Sequence, residues 1–230
     1  MIGCLCIHGY TGSPYEVKPL VDYLDARTNW EFVVPTLPGH GEDLDLKGHY
    51  YQEWIATAEL ALLQMMKEKS YDKIYIIGFS MGGMIAAYLT AKYKIDRLVL
   101  LSAAGKYISI PQMYKDILGL MVEAVKGSVR SNELYLRYSY KMKRTHFSST
   151  LEFIKCVNFT RDYLAYVTCP VLIMQGELDG MVPLKSAFYL EQEIPSEKKE
   201  LVFLKQSKHL VCHGEDQDEL FDTVLSFLTR

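Results

Sequence analysis

Residues 73 to 89 read Lys-Ile-Tyr-Ile-Ile-Gly-Phe-Ser-Met-Gly-Gly-Met-Ile-Ala-Ala-Tyr-Leu. The apolar run Lys73 to Ile77, rich in β-branched and aromatic residues, predicts a buried strand, and Ala86, Ala87 and Leu89 belong to a helix that comes after it. Between them, Gly78-Phe79-Ser80-Met81-Gly82-Gly83 must carry the chain from strand to helix in a sharp turn. Glycine on both sides of the serine suits that turn, because side chains there would collide with neighbouring backbone while Ser80 is held strained and exposed. Gly-x-Ser-x-Gly alone is a common string and often marks an ordinary turn. Here the strand before it and the helix after it give it the form of a nucleophile elbow.

Outward from this point, similar apolar runs recur: Ile2 to Ile7, Glu31 to Pro35, Arg97 to Leu101, Pro170 to Gln175 and Glu200 to Leu204. None shows polar alternation, as expected of parallel strands covered on both faces. Tyr51, Trp54, Ile55, Ala58, Leu62 and Met65 fall at helical spacing, as do Leu220, Val224, Leu225 and Leu228. Glu215, Asp216 and Asp218 gather at the start of that last helix, where the macrodipole favours negative charge. Alternating strands and helices predict an α/β fold with a doubly wound parallel sheet. The rhythm fails from Tyr107 to Tyr166, where Tyr114, Ile117, Leu118, Met121, Leu134 and other apolar residues lie dispersed. A stretch that long needs secondary structure of its own, so residues 107–166 are expected to form a helical cap insertion. Residues 1–106 and 167–230 then make up a single core domain.

Bulk properties narrow the function. The chain has 230 residues and a formal net charge of -3 with basic and acidic residues interspersed, which argues against a nucleic-acid partner. Cys4, Cys6, Cys156, Cys169 and Cys212 form no CxxC pair and suit neither a disulfide framework nor a zinc site. A cytoplasmic protein with no stable membrane anchor is expected, since Met1 to Ile7 is too short for a signal segment and no later run approaches a membrane span.

A serine hydroxyl is a weak nucleophile at neutral pH and needs a base whose pKa lies near the working pH, which favours histidine. Functional groups collect at the carboxyl ends of strands in doubly wound sheets, so the loop after Glu200 to Leu204 should supply it. His209 is preferred and His213 is the alternative. The acid that orients this base should come after the preceding strand, in Gly176-Glu177-Leu178-Asp179-Gly180; Asp179 is preferred over Glu177. The tetrahedral intermediate also needs backbone N–H donors, and Met81 at the helix start and Tyr10 in the loop after the first strand are the candidates. His8 and His40, each beside glycine, read as braces for their loops.

These residues give the sequence its resemblance. His-Gly-Tyr-Thr-Gly-Ser-Pro at 8 to 14, Leu-Pro-Gly-His-Gly at 37 to 41, Gly-Phe-Ser-Met-Gly-Gly at 78 to 83, Gly-Glu-Leu-Asp at 176 to 179 and Ser-Lys-His at 207 to 209 resemble the small bacterial carboxylesterases and monoacylglycerol lipases of the α/β-hydrolase superfamily. The resemblance spans nearly the whole chain. It implies an α/β-hydrolase fold, a triad of Ser80, Asp179 and His209, and an oxyanion hole from Tyr10 and Met81. Two departures stand out. The sequence begins almost at the first core strand, so a sheet of about six parallel strands is expected, and Lys208 stands where relatives commonly carry glycine. The activity implied is hydrolysis of a small-molecule ester with an apolar acyl chain, without metal or organic cofactor. A thioesterase, an amidase, a carbon-carbon hydrolase or a cofactor-free haloperoxidase would use the same triad, whereas a dehalogenase usually needs aspartate in place of Ser80. A non-catalytic ligand-binding homologue has no chemical need for all four elements of the site. Aromatic residues of the insertion leave a homodimer open.

Overall fold

A computed structural model describes residues 1–106 and 147–230. Six strands, β1 (Ile2–Ile7), β2 (Glu31–Val33), β3 (Lys73–Phe79), β4 (Arg97–Leu101), β5 (Val171–Gly176) and β6 (Lys199–Leu204), form one sheet in the order β2-β1-β3-β4-β5-β6. Every neighbouring pair is parallel. Each expected strand is present, β1 and β4 with the expected ends and the other four with ends shifted by one or two residues. The edge strand β2 stops at Val33 rather than Pro35, because proline brings no N–H to a ladder. By contrast β3 runs on to Phe79, paired with Leu101 of β4.

Among the described residues the α-helices are α1 (Lys18–Asp25), α2 (Tyr51–Glu68), α3 (Met81–Lys92), α4 (Phe147–Arg161), α5 (Leu184–Glu193) and α6 (Gln217–Thr229). Successive side chains of a strand point to opposite faces, and β3 accordingly feeds two apolar layers. Ile74 and Ile76 pack in one layer with Trp54 and Leu62 of α2, Ile85 of α3 and Leu190 of α5. Tyr75, Ile77 and Phe79 pack in the other with Leu20 and Leu24 of α1 and Phe221, Val224 and Phe227 of α6. Burial on both faces explains the continuous apolar runs of the sequence.

The expected insertion is described only from Phe147 onward, so Tyr114, Ile117, Leu118, Met121 and Leu134 lie outside the described residues. Its described end is helical. Phe153, Cys156 and Val157 of α4, with Leu164 and Val167 beyond it, belong to the same apolar layer as α2 and α3. All five cysteines are free thiols. Among the described residues, no helix is long and apolar enough to cross a membrane.

The chain lays down β1, adds β2 on one side, and crosses to the other side for β3. Strand order therefore reverses between β1 and β3, the place where doubly wound sheets bind ligands at the carboxyl ends of their strands. Ile7 and Gly78 are register partners there, which sets the loop after β1 beside the turn after β3.

Candidate active site

Ser80 occupies that turn with φ 54° and ψ −117°, a conformation that disfavours residues with a side chain. The surrounding backbone holds it. Its N–H donates to Leu101 O at 2.9 Å, and its carbonyl accepts from Gly83 N at 3.1 Å and Ala104 N at 3.2 Å. The flanking glycines are required by close approach: a Cβ on Gly78 would lie 2.4 Å from Gly82 O, and one on Gly82 would lie 2.3 Å from Ile7 O. The elbow can thus pack against β1 only if these positions carry no side chain.

His209 reaches Ser80 from the loop after β6. Its Nε2 lies 3.0 Å from Ser80 Oγ and its Nδ1 2.7 Å from Asp179 Oδ2. A carboxylate only accepts, so Nδ1 carries the proton and Nε2 turns its lone pair to the serine hydroxyl. Phe79 packs on the imidazole at 5.0 Å between centroids. The His209 loop is itself anchored: Asp216, the residue before α6, accepts from Gln206 N at 2.7 Å and Ser207 Oγ at 2.9 Å. Lys208 is exposed, so its side chain takes no space from the site.

The Asp179 side chain is fully shielded from solvent. Its Oδ1 accepts from Met181 N and Val182 N, both at 2.9 Å, and its Oδ2 accepts from Gln175 Nε2 at 2.7 Å in addition to His209. A buried carboxylate is tolerated where every lone-pair direction is met in this way. The two alternatives from the sequence fall elsewhere. Glu177 is exposed. His213 stacks on Tyr15 at 4.5 Å and bonds the Tyr15 carbonyl through Nε2 at 2.9 Å.

The loop after β1 closes the other side of the site. A Cβ on Gly9 would lie 3.1 Å from Ser80 Cβ, so Gly9 packs directly against the serine and Tyr10 follows it in the chain. Met81 begins α3, and its N–H is one of the first-turn donors that helix geometry leaves without an intrahelical acceptor. Tyr10 thus follows the glycine that packs on Ser80, and Met81 follows Ser80 itself at the start of α3. His8 acts as the brace the sequence implied. Leu37 N donates to His8 Nε2 at 3.1 Å, so Nδ1 bears the proton and donates to Gly9 O at 2.9 Å. His40 bonds Pro38 O through Nδ1 at 3.0 Å and packs edge-on against Trp54.

Sequence reasoning missed two supports. Gln175, buried within β5, fixes Asp179, and its only signal is a polar side chain ending an apolar run. Glu16 is buried, accepts from Gly9 N at 2.9 Å and ties down the loop of Tyr10; in the sequence it looks like any glutamate near a helix start.

Comparison with known proteins gives the chain a family. The profile of the family described as serine aminopeptidase, S33, matches residues 3–217. The thermostable monoacylglycerol lipase of Bacillus sp. strain H-257 is 28% identical, the alignment covering 100% of this chain and 91% of the lipase. The carboxylesterase of Bacillus subtilis strain 168 is 23% identical over 98% of this chain and 92% of its own. Among solved structures, one from the metagenome-derived lipolytic enzymes LipS and LipT superimposes with a TM-score of 0.75 at 20% identity, covering 99% of this chain and 93% of that one. With a six-stranded parallel sheet, a serine elbow after its third strand and a profile match over most of its length, this chain belongs to the serine aminopeptidase S33 family of α/β-hydrolases.

Proposed function

We propose that this chain is a serine hydrolase of carboxylic esters, with Ser80 as nucleophile, His209 as base and Asp179 as the group that orients it. The observation that carries this reading is the unbroken chain of hydrogen bonds from Asp179 through His209 to Ser80. His209 Nε2 takes the hydroxyl proton as Ser80 Oγ attacks the ester carbonyl. The carbonyl oxygen becomes an oxyanion, stabilised by the N–H groups of Tyr10 and Met81. When the intermediate collapses, the ester carbon-oxygen bond breaks and His209 gives its proton to the departing alcohol. Water then enters, loses a proton to His209 and attacks the acyl-enzyme, and Ser80 leaves with that proton restored. No step needs a metal or an organic cofactor.

Ester rather than amide chemistry is favoured by the relatives: the lipase and the carboxylesterase align over nearly the entire chain. The test is hydrolysis of p-nitrophenyl esters and monoacylglycerols of graded acyl length, with aminoacyl p-nitroanilides alongside, by wild type, Ser80→Ala and His209→Ala. Loss of either residue should cost roughly 10⁴ to 10⁶ in turnover. Fluorophosphonate labelling at Ser80 without ester cleavage would keep the triad and reject the substrate class. Neither labelling nor cleavage would reject the catalytic reading.

A further inference from the structure

Tyr10 does more than contribute a backbone donor. Its hydroxyl shares a hydrogen bond with Ser149 Oγ at 2.9 Å and lies 3.4 Å from Thr150 Oγ1, both in the first turn of α4. Its ring stacks on Phe153, one turn further along, with centroids 4.7 Å apart and planes 8° from parallel. The side chain is thus gripped along its whole length by one helix, 139 residues away in sequence. That helix is a firm support. Buried Glu152 accepts from Tyr51 N, the first amide of α2, at 3.3 Å, and Phe153, Cys156 and Val157 are buried in the core.

The loop around Tyr10 gives the grip its consequence. On one side Gly9 is fixed by Glu16 and by contact with Ser80. On the other, Thr11 takes φ 59°, and Gly12 N closes the turn onto Gly9 O at 3.1 Å. Tyr10 sits at the crest of this turn, directly after the glycine that packs on Ser80, where a small rotation would redirect its N–H. Its side chain points out of the turn into α4 and resists that rotation.

We propose that Tyr10 is also a positioning residue, whose hydroxyl, anchored on Ser149 and Thr150, sets the aim of its own backbone N–H at the oxyanion. This rests on the ester-hydrolase reading and deepens it, since it makes transition-state stabilisation depend on the seat of α4. A hydroxyl that only fills space would affect stability alone. One that aims the donor must affect the transition state more than substrate binding.

Tyr10→Phe keeps the ring, the stack and the N–H while removing the anchor. The pair Ser149→Ala with Thr150→Val removes the anchor from the other end and leaves Tyr10 intact. On a short p-nitrophenyl ester, each should lower kcat about tenfold, the scale of a slightly misplaced group, with KM within about twofold. Inhibition by a trifluoromethyl ketone, whose adduct with Ser80 carries the same oxyanion, should weaken by the same factor. Combining the changes should cost no more than Tyr10→Phe alone, because both remove one interaction. If both variants keep wild-type kcat and inhibition, even with a lower melting temperature, the anchor serves packing and the proposal fails. Additive losses would overturn it too. Failure of the underlying reading shows separately, as wild type without Ser80-dependent ester turnover.

Discussion

Replacing Asp179 by asparagine keeps the shape of the side chain, removes its charge and breaks the pattern of donors and acceptors around it. The carboxylate accepts four hydrogen bonds, from Met181 N and Val182 N on Oδ1 and from Gln175 Nε2 and His209 Nδ1 on Oδ2. An amide can satisfy only one of these pairs with its oxygen. Facing that oxygen to the two backbone donors leaves an NH2 group against Gln175 and His209. Gln175 cannot rotate in reply, because its Nε2 also donates to Val182 O at 2.9 Å and a flip would set two oxygens together. His209 must then accept at Nδ1 and hold its proton on Nε2, where no lone pair remains for Ser80. In a triad trapped in that tautomer kcat falls about 10⁴-fold. At 1.36 kcal/mol per tenfold this is about 5.4 kcal/mol of lost transition-state stabilisation. The protein should still fold, since Met181 and Val182 keep their acceptor. Steady-state hydrolysis of p-nitrophenyl butyrate, beside a thermal melt of the same preparation, measures both quantities. A folded Asp179→Asn variant within tenfold of wild-type kcat would refute the role given to this hydrogen-bond network.

Three further outcomes are expected. His213→Ala should lower the unfolding free energy by about 1–2 kcal/mol through loss of the bond to Tyr15 O and the ring stack, while kcat stays within about threefold; a collapse of kcat with an unchanged melt would restore His213 as a candidate base. Gly82→Ala sets a Cβ 2.3 Å from Ile7 O and should cost about 3 kcal/mol or more, so soluble yield and melting temperature should drop together. A melt indistinguishable from wild type would show that α3 moves off β1 more easily than the packing implies. For pH, burial and then the hydrogen bond to Glu31 push Tyr71 up from 10.0 to about 12. The fold favours its protonated form, so its contribution is full below pH 10 and is lost as pH rises through 12; the alkaline fall in melting temperature should be shallower in Tyr71→Phe, and parallel curves would count against it.

How much of this is legible in the sequence depends on the range of the interactions involved. Strands buried on both faces leave an unbroken apolar run, and β1, β3, β4 and β5 lie within about two residues of the ends those runs predict. The elbow is equally local, since Gly78, Ser80 and Gly82 answer to contacts made by the turn itself and the strand beside it. Chain order and the preference for strand ends suffice to bring Asp179 and His209 forward. Helices α1 and α5 escape because each is short and starts beside a proline, Pro19 or Pro183, so few residues remain to show a period. Gln175, Glu16 and the pair Ser149 and Thr150 escape for another reason. Ser149 and Thr150 meet a loop about 140 residues away, and Gln175 and Glu16, though only four and seven residues from Asp179 and Gly9, meet them through the fold of a loop that no apolar period describes.

The distribution of backbone strain ties these pieces together. Among the described residues, the non-glycine positions with positive φ are Thr11 at 59°, Ser80 at 54° and Ser102 at 45°. They come after β1, β3 and β4, the strands at and beside the switch point, and all lie at the carboxyl end of the sheet. Such conformations cost about 1–3 kcal/mol each and persist only where the surroundings over-determine them. For Ser80 that determination comes largely from the segment after β4. The bend at Ser102, whose N–H is held by Met174 O at 2.8 Å, brings Ala104 N to the Ser80 carbonyl and Ala103 against Gly83. Ser102 is fully buried, and its hydroxyl has no hydrogen-bond partner among the described residues, so its own chemistry does not account for its conformation. Its bend is explained by the elbow it supports: strain at Ser102 positions the backbone that keeps Ser80 strained, and Ser80 in that conformation meets His209 Nε2 at 3.0 Å.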